Sequence, residues 1–494
     1  MFKVRQIKYA EGSTSVQVYK IENRKRVIVR HIGTAKTDEE KSHLLDLADD
    51  FIKKVSKQFS MFEDVKTDGF LYLNQTEYIG IYYTFLNELL SKIFIHIGFD
   101  KLKQILLLDL VLMRMVESAS KLRSIELLEQ YFGIRHRRQK YYETAPIWLG
   151  LKDKTERITL AFAQKHYDFN YDLLFYDVTT LYFETFEEDG LRKNGFSKDN
   201  KSQQPQILVA LMVSKEGFPI AYEIFAGNTF EGKTIIPVVQ KFIQKNKVKN
   251  FTIVADAAMI SDENVKQLVQ ENINYIVGAR LGNVSEELLR TIDQKLERQD
   301  GKNTRIQTPK GDLICSFSSL RYRKDKYEME RQLEAAKSVV KAPSKSKRLK
   351  FTKTEGQLIS LNEALIEKTT KLLGIKGYYT NLDEVVASNN TIIERYHELY
   401  RIEQAFRISK HDLQTRPIFH FKEDPIQLHM LICFMALVTS KHIELQTGIS
   451  INKFIRECKK ITDARLKNKL TGKEYRLRSQ ITPEMENYIQ KLNC

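Results

Sequence analysis

Cysteine is scarce in this chain of 494 residues: Cys315, Cys433, Cys458 and Cys494 are the only four, and they lie far apart. Such spacing excludes a disulfide scaffold, which needs a dense framework, and a cysteine zinc site, which needs paired short intervals. A reducing compartment is the expectation. Long apolar runs are missing too. The longest, Ile426 to Val438, contains Gln427 and His429 and falls short of a membrane span. The start, MFKVRQIKYAEG, has no signal-peptide core, and no period between about 20 and 50 residues recurs. The reading is a soluble, cytoplasmic, non-repetitive protein with no membrane partner. Negative charge is also in deficit: 63 Asp and Glu face 79 Lys and Arg, for a net charge of +16. That balance favours a polyanionic partner, nucleic acid foremost, through neutralisation of phosphates and release of their counterions.

What is present reads as several structural units, because the chain is longer than one core usually organises. Residues 1–35 alternate polar and apolar on either side of ENRK and predict a β-hairpin unit ending at Gly33. Over 36–150 the period shifts toward 3.6, which predicts a helical domain with Gly133 capping a helix before the basic run RHRRQK. From 151 to 280 come the strand patterns LLFYDVTTLYFET, PQILVALMVS, PIAYEIFAG, FTIVAD and NYIVGAR, with helical text between the later ones. An α/β core with a mixed sheet follows. Residues 281–385 read as an insertion carrying a charged helix, the linker-like KAPSKSKRLK and a short strand in IKGYYTN. The core resumes over 386–445, and 446–494 is a basic C-terminal region.

Three acids stand where apolar neighbours make them expensive. Asp177 lies inside a strand with apolar cover on both sides, Asp256 closes FTIVAD, and Glu403 falls on a late helix. A carboxylate placed among apolar groups loses hydration unless a partner compensates. A divalent cation held by all three would satisfy them together. On the late helix Tyr396, Leu399, Glu403, Phe406, Lys410 and Leu413 recur at alternating three- and four-residue steps, one stripe that would turn Glu403 and Lys410 inward. Taken singly, two of them have a plainer reading. Glu403 could pair with Arg407 one turn on, and Asp256 could be a turn or helix-capping residue. Together, such carboxylates can hold two ions a few Å apart, suited to displacement at a phosphodiester. Mg2+ fits the hard oxygen ligands, with Mn2+ as a substitute, while Arg401, Arg407 and Lys410 are the candidates to face phosphate.

The stretches YDVTTLYFET, GFSKDNKSQQPQI with GFPIAYEIFAGN, IVADAAMIS and YHELYRIEQAFRISKHDLQTRPIF resemble bacterial insertion-sequence transposases of the DDE type. The resemblance spans roughly 170–280 and 385–440. It implies a ribonuclease-H-like catalytic core interrupted by an insertion before the last acidic helix. The signature of this group, Tyr-x2-Arg-x3-Glu-x6-Lys, falls on Tyr396, Glu403 and Lys410, with Leu399 in the arginine position and Arg401 two residues along as its possible replacement. By the same resemblance Asp177, Asp256 and Glu403 are the catalytic acids and metal ligands and Tyr396 and Lys410 belong to the site, where Arg401 and Arg407 join them as candidates to contact DNA or its phosphates. The implied activity is Mg2+-dependent cleavage at element ends followed by strand transfer. The implied partners are terminal inverted repeats and target DNA, held by a homodimer on paired ends. A non-catalytic DNA-binding derivative and a structure-specific nuclease with the same core are the competing functions. The helical text SASKLRSIELLEQYFGIRHRRQK adds a helix-turn-helix-like candidate for DNA end binding.

Overall fold

The computed structural model describes residues 2–22, 25–55, 75–196, 203–248, 251–259, 261–341, 349–355 and 358–493. The linker-like KAPSKSKRLK and the segment GFSKDNKSQQ lie largely outside them. The chain separates into two units, one of Met1–Ser91, Ile125–Arg135 and Phe454–Asn493, the other mainly of Lys92–Ser124 and His136–Lys453.

In the first unit β1 (Phe2–Lys8), β2 (Thr14–Glu22) and β3 (Lys25–Ala35) form an antiparallel sheet, so the expected hairpin gains a third strand and continues through Gly33. Helix α1 (Asp38–Val55) covers it, packing Leu44, Leu47 and Ala48 on Val16, Val18 and Ile32. A reciprocal cap starts this helix. Thr37 Oγ1 accepts the Glu40 N–H at 3.2 Å, and Glu40 Oε2 accepts the Thr37 N–H at 3.3 Å. Strand β4 (Thr76–Tyr82) then interrupts what the sequence reads as purely helical. Its partner is Asp463–Asn468, which pairs in turn with Glu474–Arg478. The basic C-terminal region is therefore built into a sheet rather than standing apart. Arg478 fastens it, gripping Glu88 at 2.8 and 2.9 Å and Asp463 at 2.7 Å. A linear division by composition misses this because strand pairing ignores distance along the chain.

Helix α2 (Thr84–Ile97) leads into α3 (Ile105–Val116), α4 (Lys121–Phe132), α5 (Arg138–Leu149) and α6 (Lys152–His166). Next come β5 (Leu173–Tyr182), β6 (Gln206–Val213) and β7 (Pro219–Ala226), three antiparallel neighbours. After α7 (Ile235–Asn246), β8 (Thr252–Ala255) returns parallel to β5; after α8 (Asp262–Gln270), β9 (Asn274–Gly278) lies parallel to β8. All eight residues of β6 are buried, which accounts for its uninterrupted apolar text QILVALMV.

The segment read as an insertion supplies α9 (Glu286–Lys295), β10 (Asn303–Thr308), β11 (Gly311–Phe317), α10 (Ser319–Lys341), the hairpin β12 (Thr352–Glu355) and β13 (Leu358–Leu361), α11 (Glu363–Lys371) and β14 (Ile375–Thr380). It does not stand apart from the core. β14 pairs with β9 and β11 with β14, extending one sheet to the order β10-β11-β14-β9-β8-β5-β6-β7. The late helix is two helices, α12 (Asn389–His397) and α13 (Tyr400–Arg407), followed by a π-helical turn, Ile408–Asp412. Last in this unit, α14 (Glu423–Thr447) is long and apolar enough to cross a membrane, but 94% of its most apolar window is buried within the protein, against α3, α5, α6 and β7.

One buried cation in this unit makes a testable statement about pH. Lys121 Nζ sits 2.9 Å from His420 Nε2 and 2.8 Å from His429 Nδ1, with Arg114 close by. Burial, then the Arg114 charge, pushes the Lys121 ammonium down to about 7; burial also pushes His420 down to about 3 and holds His429 well below its ordinary value. Both histidines therefore serve as neutral acceptors. Because the unfolded chain binds the lysine proton more tightly, stability should rise as pH climbs above about 7, by on the order of a few kcal/mol before the ordinary lysine range is reached. Below about pH 6.5 the histidines add a further loss, since only their unfolded forms take up protons. Denaturant midpoints measured from pH 7 to 9.5 should climb in the parent and stay flat in Lys121→Met; an equal climb in both would refute this account.

Candidate active site

Parallel pairing of β5 with β8 sets Tyr176 opposite Ala255. The next position on each strand is an aspartate, so Asp177 and Asp256 stand side by side. Asp177 is half-buried and its Oδ1 accepts the Val178 N–H at 2.7 Å. Asp256, one residue past β8, is exposed, as the carboxyl end of a strand in an α/β sheet allows.

Helix α12 packs across β8, β9 and β14 and brings Tyr396 to this pair. The Tyr396 hydroxyl donates to Asp256 Oδ1 at 3.3 Å, and its ring lies 4.8 Å from that of Tyr378. Burial, and after it the charges of Asp256 and Asp177, raise the phenol well above its ordinary value, so it stays a proton donor. One hydroxyl thus feels both aspartates. Gly278 makes the approach possible: a Cβ there would overlap the Tyr396 hydroxyl oxygen. Gly278→Ala should cost about 1–3 kcal/mol in unfolding free energy through overpacking. Adding Tyr396→Phe should recover most of that stability without restoring the hydrogen bond to Asp256. Denaturant unfolding of the three variants checks this, and an unchanged midpoint in Gly278→Ala would count against the tight approach.

Glu403 departs from its expected inward stripe. Tyr396, Leu399, Phe406 and Leu413 are buried, but Glu403 is exposed. The physical reason is the break between α12 and α13, where Leu399, Arg401 and Ile402 bond three residues back rather than four. That tightening shifts the phase, and α13 buries Ile402, Ala405 and Phe406 instead. Among the described residues Glu403 makes no hydrogen bond or ion pair, so the surface pair with Arg407 does not form. It remains close enough to the sheet for its charge, like that of Asp256, to act on Lys376 of β14. Arg407 is exposed on the same helix, and Lys410 is half-buried in the π-helical turn.

Arg401 is not brought to the acids. Its Cβ would lie 3.1 Å from a Cβ at Gly217, in the turn joining β6 to β7, where φ is +81°, and its guanidinium reaches Glu398 at 3.6 Å. Leu399, in the arginine position of the signature, is core. Two residues that sequence reasoning passed over matter here, Gly278 and Lys376. The lysine carries the same signal as Asp177, a charge inside apolar strand text.

Beside Asp256 opens a cleft of about 480 Å3, lined among others by Gly278, Tyr396, Lys376, Arg321 and Lys350. Its far wall comes from the inserted segment.

Residues 168–439 match a family model described as a transposase DDE domain. The chain belongs to that family. A cryo-EM structure of piggyBac transposase synaptic complex with hairpin DNA is similar at 12% identity and a TM-score of 0.35, covering 85% of this chain and 77% of that one, a likeness too faint to bear on the site. No curated protein matches.

Transposase DDE domains generally use a divalent metal, and the donor set here suits one in part. Asp177 and Asp256 supply hard oxygens from neighbouring strand positions, with a proton donor rather than a cation bonded to Asp256. As placed, no three His, Cys, Asp or Glu side chains among the described residues converge on one point. Asp177 and Asp256 both act on Tyr396, and Asp256 and Glu403 both act on Lys376, so the three acids are linked in pairs rather than at a single centre.

Proposed function

We propose that this transposase DDE domain is the catalytic part of a bacterial insertion-sequence transposase that cleaves DNA at the element's ends and joins the freed 3′-hydroxyl to target DNA. The observation that carries the reading is the adjacency of Asp177 and Asp256 on neighbouring parallel strands. The strand order β7-β6-β5-β8-β9, with the first three antiparallel and the last two parallel to β5, supports a ribonuclease-H-like core.

Asp177 and Asp256 would hold Mg2+, and Glu403, exposed on α13, is the third acid offered to the site. When bound, such ions would supply activation for the attacking oxygen and stabilisation for the departing one. The chain's own residues do the rest. Tyr396 orients the Asp256 carboxylate and stays protonated while doing so. Arg407 and Lys410, on the exposed side of α13 and in the turn after it, face the phosphate backbone, where Arg grips two oxygens and Lys acts as a point charge. Exposed Arg137, Arg138 and Lys140, at the start of α5, offer phosphate contacts for end binding, and a homodimer in the cytoplasm would hold the paired ends.

The test is incubation of the protein with duplexes taken from the DNA flanking its own gene, in Mg2+ or Mn2+. Nicking at the repeat ends followed by joining to a target is expected. Nicking without joining would favour a structure-specific nuclease, and binding without nicking would favour a lapsed, non-catalytic derivative.

A further inference from the structure

Lys376 sits in the interior of β14, two residues from Tyr378 in the text IKGYYT. Its Nζ lies 4.8 Å from the centroid of the Tyr396 ring and 5.6 Å from that of Tyr378. Aromatic faces attract a cation without using its N–H donors. Among the described residues Lys376 makes no ion pair and donates no hydrogen bond, although the charges of Asp256 and Glu403 both act on it. Burial and the neighbouring Arg321 oppose its charge, so the protein keeps a half-buried ammonium without giving it a direct acidic partner.

The same side chain lines the cleft beside Asp256, together with Arg321 and Lys350. Arg321 is partly occupied by Asp325 at 3.2 Å, and Lys350 leans over the Phe351 ring at 5.2 Å. Lys376 is thus the cation of this wall that two tyrosines hold in place and whose three donors stay unspent. It is tied to the acids through one short chain: ammonium over the Tyr396 ring, Tyr396 hydroxyl on Asp256.

We infer that Lys376 is a phosphate-contacting residue, gripping a phosphodiester of the DNA strand that enters the cleft beside Asp256, next to the bond being cut. The inference rests on the transposase reading above and deepens it. The inserted segment then does more than lengthen the sheet, because its last strand delivers a cation to the substrate. Tyr378 and Tyr396 fix the ammonium from below, so the contact needs little reordering when DNA arrives.

Lys376→Met keeps the aliphatic stem on the two rings and removes only the charge; Lys376→Arg keeps the charge. Binding of full-length protein to a duplex from the gene's flanking DNA is measured against salt, and single-turnover cleavage of the same duplex is measured in Mg2+. The Met variant should lose about 0.9 from the slope of log affinity on log salt, the value for one released counterion. Its cleavage should fall roughly tenfold to a hundredfold, the range for losing a charged hydrogen bond. The Arg variant should keep the slope. Parent-like slope and cleavage in the Met variant would overturn the inference and leave the transposase reading untouched, and so would a slope loss as large in the Arg variant as in the Met variant. If the parent cleaves nothing while the Met variant still loses its unit of slope, the phosphate contact stands and the catalytic reading fails.

Discussion

Asp177→Asn is expected to abolish divalent-ion-dependent cleavage of terminal DNA, by about a thousandfold or more, while salt-sensitive binding stays near the parent value. The substitution changes charge and little else. An amide oxygen can still accept the Val178 N–H that Asp177 Oδ1 accepts at 2.7 Å, so β5 keeps its local bonding. What is lost is one of two adjacent carboxylates, and a thousandfold corresponds to about 4 kcal/mol of transition-state stabilisation. Binding should survive because counterion release depends on Lys and Arg, and none is removed. Single-turnover cleavage in Mg2+ and in Mn2+, beside a salt titration of binding, separates the two effects. Full cleavage by the variant would reject Asp177 as a ligand.

Arg305→Met should produce the largest loss of stability, about 3–5 kcal/mol. From β10 the Arg305 guanidinium donates to Asp312 Oδ2 at 2.9 Å, Asn389 Oδ1 at 2.9 Å, and the Leu382 and Ala387 carbonyls at 3.0 Å. Methionine fills a similar space and satisfies none of the four. Each acceptor left dry costs about 1–3 kcal/mol, discounted here because water can reach a site that is only partly covered. Two of those acceptors, Ala387 and Asn389, flank the start of α12, where Ser388 caps the helix by accepting the Thr391 N–H. Loosening that start would disturb Tyr396 at the other end of the helix. Urea unfolding should therefore show a lower midpoint, and cleavage should fall with it. An unfolding free energy within about 1 kcal/mol of the parent would show that Arg305 is not the clasp its bonds imply.

The strands β5 to β9 were legible because each is a short apolar, β-branched run bounded by turn residues, and both aspartates stood out as charges in that text. The placement of Glu403 is the part of the candidate site that periodicity misjudges. The stripe that turned it inward assumed one unbroken helix, whereas the tightened turn at Leu399 rotates it outward, and no local composition marks that break. The role of the inserted segment was hidden for a different cause. Whether IKGYYT stands alone or joins the main sheet depends on Tyr378 pairing with Gly278, a contact that periodicity in either strand cannot reveal. The closeness of Gly278 to Tyr396 follows from that pairing. The Lys376 charge in strand text was open to the reasoning that singled out Asp177.

The partnership of β4 with Asp463–Asn468 bears on how the protein comes into being. During synthesis the first unit must wait, its edge strand exposed, until Asp463–Asn468 has left the ribosome, long after β4 itself. A prematurely ended product would carry intact aspartates in its sheet while this unit stayed unfinished. Shortened copies of such a gene would therefore yield chains prone to aggregation or proteolysis, which gives the cell a simple means of clearing them.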